Sequence, residues 1–188
     1  GDNVIGQLSI GIVIGKSLFD RLNQDIVQVL SFLHSIVANN NLVYGKQMKI
    51  ALTVKHLYIS SIACTPHISE QLQSFRSWTP PETQAIWHLV DSCDYSQSGA
   101  IGVAYVGTVC NLKITSRAVT WLSGSTWLTF AHENGHLFGA QHSFEEGVGS
   151  TGGIMDYGNK LYNGEYQFNT KYRKDELCNT IQRNIIDN

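Results

Sequence analysis

Residues 132–142 read His-Glu-Asn-Gly-His-Leu-Phe-Gly-Ala-Gln-His, and no other stretch of the chain constrains its fold as tightly. His132 and His136 are four apart, which on a helix sets both imidazoles on one face, one turn from each other. Glu133 lies beside the first of them, where a carboxylate can act on a water at a metal. Gly139 is expected to end the helix, because glycine takes a left-handed conformation without strain. The turn then brings His142 back as a third nitrogen ligand. Three protein ligands and one open position describe a catalytic zinc site rather than a closed structural one. The segment Thr126–Ala131 leads into the motif as a helix, with Ser125 as its N-cap. The competing explanation is a helix that happens to carry three histidines. It leaves unexplained why three of the seven histidines fall within this one stretch.

The chain has 188 residues, enough for one domain with a proper core. Hydrophobic residues make up 43% and charged residues 15%, which points to a globular fold rather than disorder. A net charge of −2 without a basic run argues against nucleic acid as a partner. The apolar stretches are interrupted short of the ~20 residues of a membrane span, so membrane contact by this domain is not expected. The first residues do not read as a signal peptide, and the natural reading is a mature or excised domain. Four cysteines stand at 64, 93, 110 and 178, with no C-x-x-C pair. An even count at wide spacing suits two disulfides and an oxidising compartment, with three connectivities open. Buried free thiols are the alternative.

Gln7–Ile14 is mostly apolar, as a buried central strand should be. Asp20–Val37 carries apolar residues at helical spacing, and Asn39–Asn41 is expected to end that helix. Gln47–Ile59 reads as a second strand. Strand, long helix, strand suggests a right-handed crossover and a parallel pair. Ser69–Trp78 reads as a short helix with Ser69 as N-cap. Further strands are expected at Ala85–Val90 (where a helix competes), Ala100–Val106 and Ala118–Leu122. After Gly139 the chain is rich in glycine, and regular structure resumes at Thr170–Ile186 as a final helix. His34, His56, His67 and His88 are isolated, and each reads as a surface or satisfied core residue rather than a ligand.

The pattern H-E-x-x-H-x-x-G-x-x-H, followed by Gly153-Ile-Met155-Asp-Tyr157, resembles the metzincin metalloproteases and their Met-turn. Leu8–Ile14, Gly102–Cys110 and Phe168 make the chain most similar to a reprolysin (adamalysin, or ADAM-type) catalytic domain. One departure is Ser143, where adamalysins usually place Asp. Serine there is typical of matrixins, but residues 95–125 hold no histidine and no acidic residue from which the matrixin structural metal segment could be built.

The resemblance implies an α/β (α+β) fold. It comprises a twisted five-stranded, mostly parallel sheet, two long helices, the active-site helix and a small irregular C-terminal part ending in a helix. Residues 1–139 would form an upper subdomain and 140–188 a lower one. It implies one catalytic Zn2+ on His132, His136 and His142, with Glu133 as general base and Met155 as an apolar floor. The substrate-binding edge would be Gly102, Val103, Ala104 and Tyr105, with a hydrophobic residue preferred after the cut. It favours Cys110–Cys178 as one disulfide, leaving Cys64–Cys93 as the other.

Tyr157 stands two residues after Met155, where other metzincin branches carry a tyrosine that can approach the zinc. It reads either as a fifth ligand or oxyanion donor, or as a turn aromatic under the cleft, the second being favoured. Calcium is not expected; Asp2, Asp187, Glu145 and Glu146 form no calcium loop. The expected function is a zinc-dependent endopeptidase, secreted or on the extracellular part of a membrane-anchored protein. It would be a monomer, acting on proteins or peptides and inhibited by hydroxamates. The alternative is a catalytically silent adamalysin-like binding or adhesion module.

Overall fold

The computed structural model describes residues 6–111 and 116–186. Its centre is the strand β1 (Gly6–Gly15), flanked by parallel partners on both sides. The sheet runs β2 (Ile50–Ser60), β1, β3 (Ile86–Asp91), β5 (Arg117–Trp121), β4 (Gly102–Ala104). Only β4, at one edge, is antiparallel to its neighbour. Both faces of β1 are covered, which is why it reads as an unbroken apolar run. Ile10, Ile12 and Ile14 join the large core, and Val13 joins a second core with Phe75, Trp87 and Leu89 on the opposite face.

The segment between β1 and β2 departs from the sequence expectation. A short helix α1 (Lys16–Arg21) precedes the long α2 (Ile26–Met48), whose true N-cap is Asp25. The Asp25 carboxylate accepts from Val27 N at 2.8 Å. Asn39–Asn41 do not end the helix, because their amides find better uses within it and across it. Asn40 donates to Ile36 O and to Trp127 O, and Asn41 exchanges two hydrogen bonds with the Leu52 backbone. The helix stops only at Lys49, in the left-handed region at φ 60°. By length and composition α2 could cross a membrane, contrary to the reading of the interrupted apolar stretches. Here it packs a stripe from Val29 to Tyr44 onto the sheet and the helix that carries His132 and His136.

The helix α3 (Ile68–Ser77) starts one residue earlier than expected, so Ser69 is not its N-cap; His67 occupies that position without a side-chain cap. The helix α4 (Thr126–Leu137) begins after Ser125 as expected, but Ser125 makes no capping bond. Thr126 instead donates to Ser123 O and accepts from Ser123 N. The Gly-rich stretch contains a two-stranded ribbon the sequence did not signal, β6 (Leu161–Tyr162) and β7 (Glu165–Tyr166). The last helix α5 (Thr170–Ile181) continues into a wider turn at Gln182–Ile186.

Cys64 and Cys93 are bonded, closing a loop over α3 and β3. A loop of this length contributes about 3–4 kcal/mol by chain entropy. The expected Cys110–Cys178 bridge is absent, and both thiols are free. The reason lies in the phase of α5: Arg173, Leu177 and Thr180 face inward, which turns Cys178 to solvent. Beside Cys110, Asn184 from the C-terminal end donates to Val109 O at 3.0 Å.

Asp91, at the end of β3, is fully buried. It accepts from Tyr95 Oη at 2.7 Å and from Cys93 N at 3.4 Å. Burial pushes its carboxyl from 3.8 to about 6, the two hydrogen bonds opposing. Folding thus favours the protonated acid. Its contribution to stability is full below the unfolded pKa and is lost as pH rises through about 6, a swing of about 3 kcal/mol. Thermal unfolding of Asp91→Asn should lack this loss and gain on the wild type above pH 6. Identical pH slopes for the two proteins would remove Asp91 from the account.

Candidate metal centre and cleft

α4 carries His132, Glu133 and His136, all nearly buried, on the side that faces the 139–160 segment. The helix is anchored from behind. Tyr44 of α2 donates to Ala131 O at 2.9 Å, and Asn134 bonds the buried His88 ring at 3.0 Å. His88 also bonds Thr120 and stacks on Phe130, so it is a satisfied core histidine. His34, His56 and His67 stand outside the three-histidine group as well.

Beyond α4 the chain turns at Gly139, whose φ of +94° matches the expected left-handed turn. His142 then returns to the helix. The three imidazoles offer one nitrogen each within 4.8 Å of one another. His132 Nδ1 is 2.7 Å from Ile154 O and His136 Nδ1 is 2.7 Å from Ala140 O. Each carbonyl accepts a hydrogen bond from Nδ1–H, a tautomer that leaves the Nε2 lone pair free. His136 Nε2 and His142 Nε2 stand 3.1 Å apart. Two nitrogens on one tetrahedral zinc would be about 3.3 Å apart, given Zn–N bonds of ~2.05 Å. Glu133 Oε2 is buried without a hydrogen-bond partner. The donor set and the orphaned carboxylate oxygen both fit a bound zinc ion.

The electrostatics agree with that fit. Burial first, then Lys160, holds the His132 and His142 rings below the usual imidazole range. Burial lowers His136 to about 4. All three are therefore neutral near pH 7, the ligand form. Burial pushes Glu133 up to about 8, with Lys160 opposing. A dication beside it would lower that value and favour the carboxylate.

Met155 is fully buried beneath the group. A Cβ on Gly135 would lie 2.6 Å from its sulfur, so α4 and the turn touch at a glycine. The turn is held by Asp156, whose carboxylate accepts from Gly149 N, Gly152 N and Tyr157 N, each at 2.7 Å. Tyr157 is 57% exposed, and its Oη stands 3.2 Å from His142 Nε2. Arg173 of α5 donates to His142 O at 3.1 Å and pairs with Glu145 and Glu176. Glu146 pairs with Lys171 and Tyr172. The two glutamates weighed for calcium are thus engaged in ion pairs, and Asp2 and Asp187 lie outside the described residues. Asp156, Lys160 and Arg173 were missed in the sequence, since only the folded chain brings them to the histidines.

A cleft of about 480 Å³ runs past these groups, lined by residues 99–104 on one side and by Gln141, His142, Tyr157 and Lys160 on the other. β4 forms its rim. The strand is half-buried and hydrogen-bonds β5 on one side only, with Tyr105 N extending the ladder to Arg117 O at 3.2 Å. Gly102 meets Glu133 so closely that a Cβ there would lie 2.3 Å from Oε1.

A family model described as metallo-peptidase family M12, of reprolysin type, matches residues 7–175. The chain is 27% identical over 126 residues to disintegrin and metalloproteinase domain-containing protein B of Aspergillus fumigatus, covering 53% of this chain and 16% of that protein. It is 29% identical over 91 residues to the protein of the same name from Trichophyton verrucosum, covering 40% and 11%. The chain thus spans a small part of the curated relatives it matches. Metalloproteinase-II from Bacteroides fragilis shares the fold at a TM-score of 0.66 and 17% identity, covering 93% of this chain and 53% of that one. A structure titled as a chaperone-substrate complex does so at 0.71 and 15%, covering 95% and 35%.

Proposed function

Because the chain belongs to metallo-peptidase family M12, we infer that it is an active zinc-dependent endopeptidase of extracellular or cell-surface proteins. The observation that carries this reading is the convergence of three neutral imidazoles and one unpartnered buried carboxylate on a cleft rimmed by an open strand edge. His132, His136 and His142 would hold the zinc, which supplies Lewis acidity toward the scissile carbonyl and toward water.

An extended substrate adds to the Gly102–Tyr105 edge as an antiparallel strand, with residues 1–139 above the cleft and 140–188 below. Glu133 lies between that edge and the histidines. It takes one proton from the attacking water as the oxygen bonds to the carbonyl carbon. It then delivers that proton to the amine nitrogen as the C–N bond breaks. Met155 keeps an apolar floor under the rings. The Cys64–Cys93 disulfide suits an oxidising compartment and supports the extracellular assignment.

The test is zinc analysis of the purified protein together with cleavage of an unstructured protein, blocked by a hydroxamate. Bound zinc without cleavage would favour the silent binding module instead.

Tyr157 is assigned here to the oxyanion. Its hydroxyl, beside His142, can donate to the oxygen that gains charge as water attacks. Tyr157→Phe should lower turnover by about tenfold or more, roughly 1.4 kcal/mol. Thermal stability should hardly change, because the ring stays in its half-exposed position. Unchanged kinetics would return Tyr157 to the role of a turn aromatic.

A further inference from the structure

The resemblance walls the pocket just past the scissile bond with α4 and the Gly153–Tyr157 turn and makes it apolar, but here that part of the cleft holds a cation. Lys160 lines it beside Thr129, His132, Glu133 and Tyr157. Its Nζ donates to Asp156 O, approaches His132 Nδ1 at 3.5 Å and lies 5.3 Å from the Tyr157 ring centroid. His132 Nδ1 already serves Ile154 O, so it is no acceptor for the ammonium. Among the described residues Asp156 O is then the one acceptor for three ammonium protons.

The backbone fixes this arrangement. Lys160 is in the left-handed region at φ 64°. The next residue, Leu161, is pinned through its N–H to Asn159 Oδ1 and through its carbonyl to Gly153 N. Two carboxylates share the field of the ammonium, Glu133 and Asp156. The Asp156 carboxylate is saturated by three backbone N–H groups. With a zinc dication on three neutral imidazoles, Lys160 and these two carboxylates, the pocket carries a net charge of about +1.

Resting on the zinc-endopeptidase reading, we propose that Lys160 makes the enzyme selective for an acidic side chain directly after the scissile bond. A glutamate or aspartate there meets the free ammonium protons in a charge-assisted hydrogen bond. A leucine would strip water from the ammonium and return nothing. A polar group built into a pocket rejects the side chain that leaves it unpaired.

The test is a set of quenched peptides differing only in the residue after the cut (Glu, Gln, Leu or Lys), given to the zinc-loaded chain. The wild type should favour Glu over Leu by about tenfold or more in kcat/KM, with Gln between. Lys160→Met should lose that preference, and Lys160→Arg should keep it. Both variants leave a non-glycine residue at the same backbone position, and zinc content with thermal unfolding verifies the fold. A wild type that favours Leu, or a Glu-to-Leu ratio that Lys160→Met leaves unchanged, overturns the proposal.

A second arm needs no turnover: equilibrium binding of the same peptides to zinc-loaded Glu133→Gln. The Glu peptide should bind tighter, and added salt should erode its advantage. Acid-selective binding without any cleavage by the wild type would sink the endopeptidase reading and leave the pocket assignment standing. Cleavage with binding blind to that residue, or no binding at all, would sink the pocket assignment.

Discussion

Glu133→Gln is expected to keep its zinc and its fold and to lose roughly 10²–10⁴-fold in turnover, the usual worth of a general acid–base group. The physical case rests on how little else the substitution changes. Glu133 is 4% exposed, and burial raises its pKa to about 8, so in the metal-free protein the neutral acid prevails at pH 7. Glutamine is close in shape and charge to that acid. Unfolding temperature should therefore stay near the wild-type value. What disappears is a base able to accept a proton from water. Single-turnover kinetics on a good peptide substrate, beside zinc analysis of the same sample, measure this directly. A variant that cleaves at near wild-type rate would mean that some other group takes the proton.

The second large effect is expected at a residue with no chemistry of its own. In Gly102→Ala the new Cβ would stand 2.3 Å from Glu133 Oε1 and 2.7 Å from Cδ. The carboxylate is packed into a buried position, so either it turns away from the histidines or β4 moves outward. Misplacement of this size should cost about 10²-fold in kcat/KM. Stability should fall by no more than about 1–2 kcal/mol, because β4 is a three-residue edge strand and bears little of the core. The two substitutions should not multiply. Once Glu133 is Gln, adding Gly102→Ala should cost little more, since both act through one carboxylate. A fully multiplicative double variant would assign Gly102 to another task, such as pairing with substrate.

The two substitutions divide what could be read from the sequence from what could not. Glu133 was legible because its neighbours at i−1 and i+3 are histidines, and helical geometry alone puts such residues around one point. The ends of α4 were likewise local, with Gly139 taking the φ that its position demanded. The βαβ start was legible from the apolar run of β1. Gly102 read only as part of the substrate-binding edge, since its closeness to Glu133 depends on a carboxylate thirty-one positions later crossing the edge of the sheet.

Asn39–Asn41 misled for a related reason. By themselves asparagines compete with a helix, but here Leu52 and Trp127 supply backbone partners that keep the helix running. The Cys110–Cys178 pairing failed because the phase of α5 was set by burying Arg173, Leu177 and Thr180, which no spacing of cysteines reveals.

By itself the sequence determined the family and the grouping of His132, His136 and His142, and it pointed to Glu133 as the proposed base, because those rest on short-range helical spacing and a tight turn. Only the tertiary structure decided that Cys110 and Cys178 stay apart, the close approach of Gly102 to Glu133 and the cation at Lys160. Each of these depends on where separate segments meet once the core has packed, and that distance is not written in any local pattern.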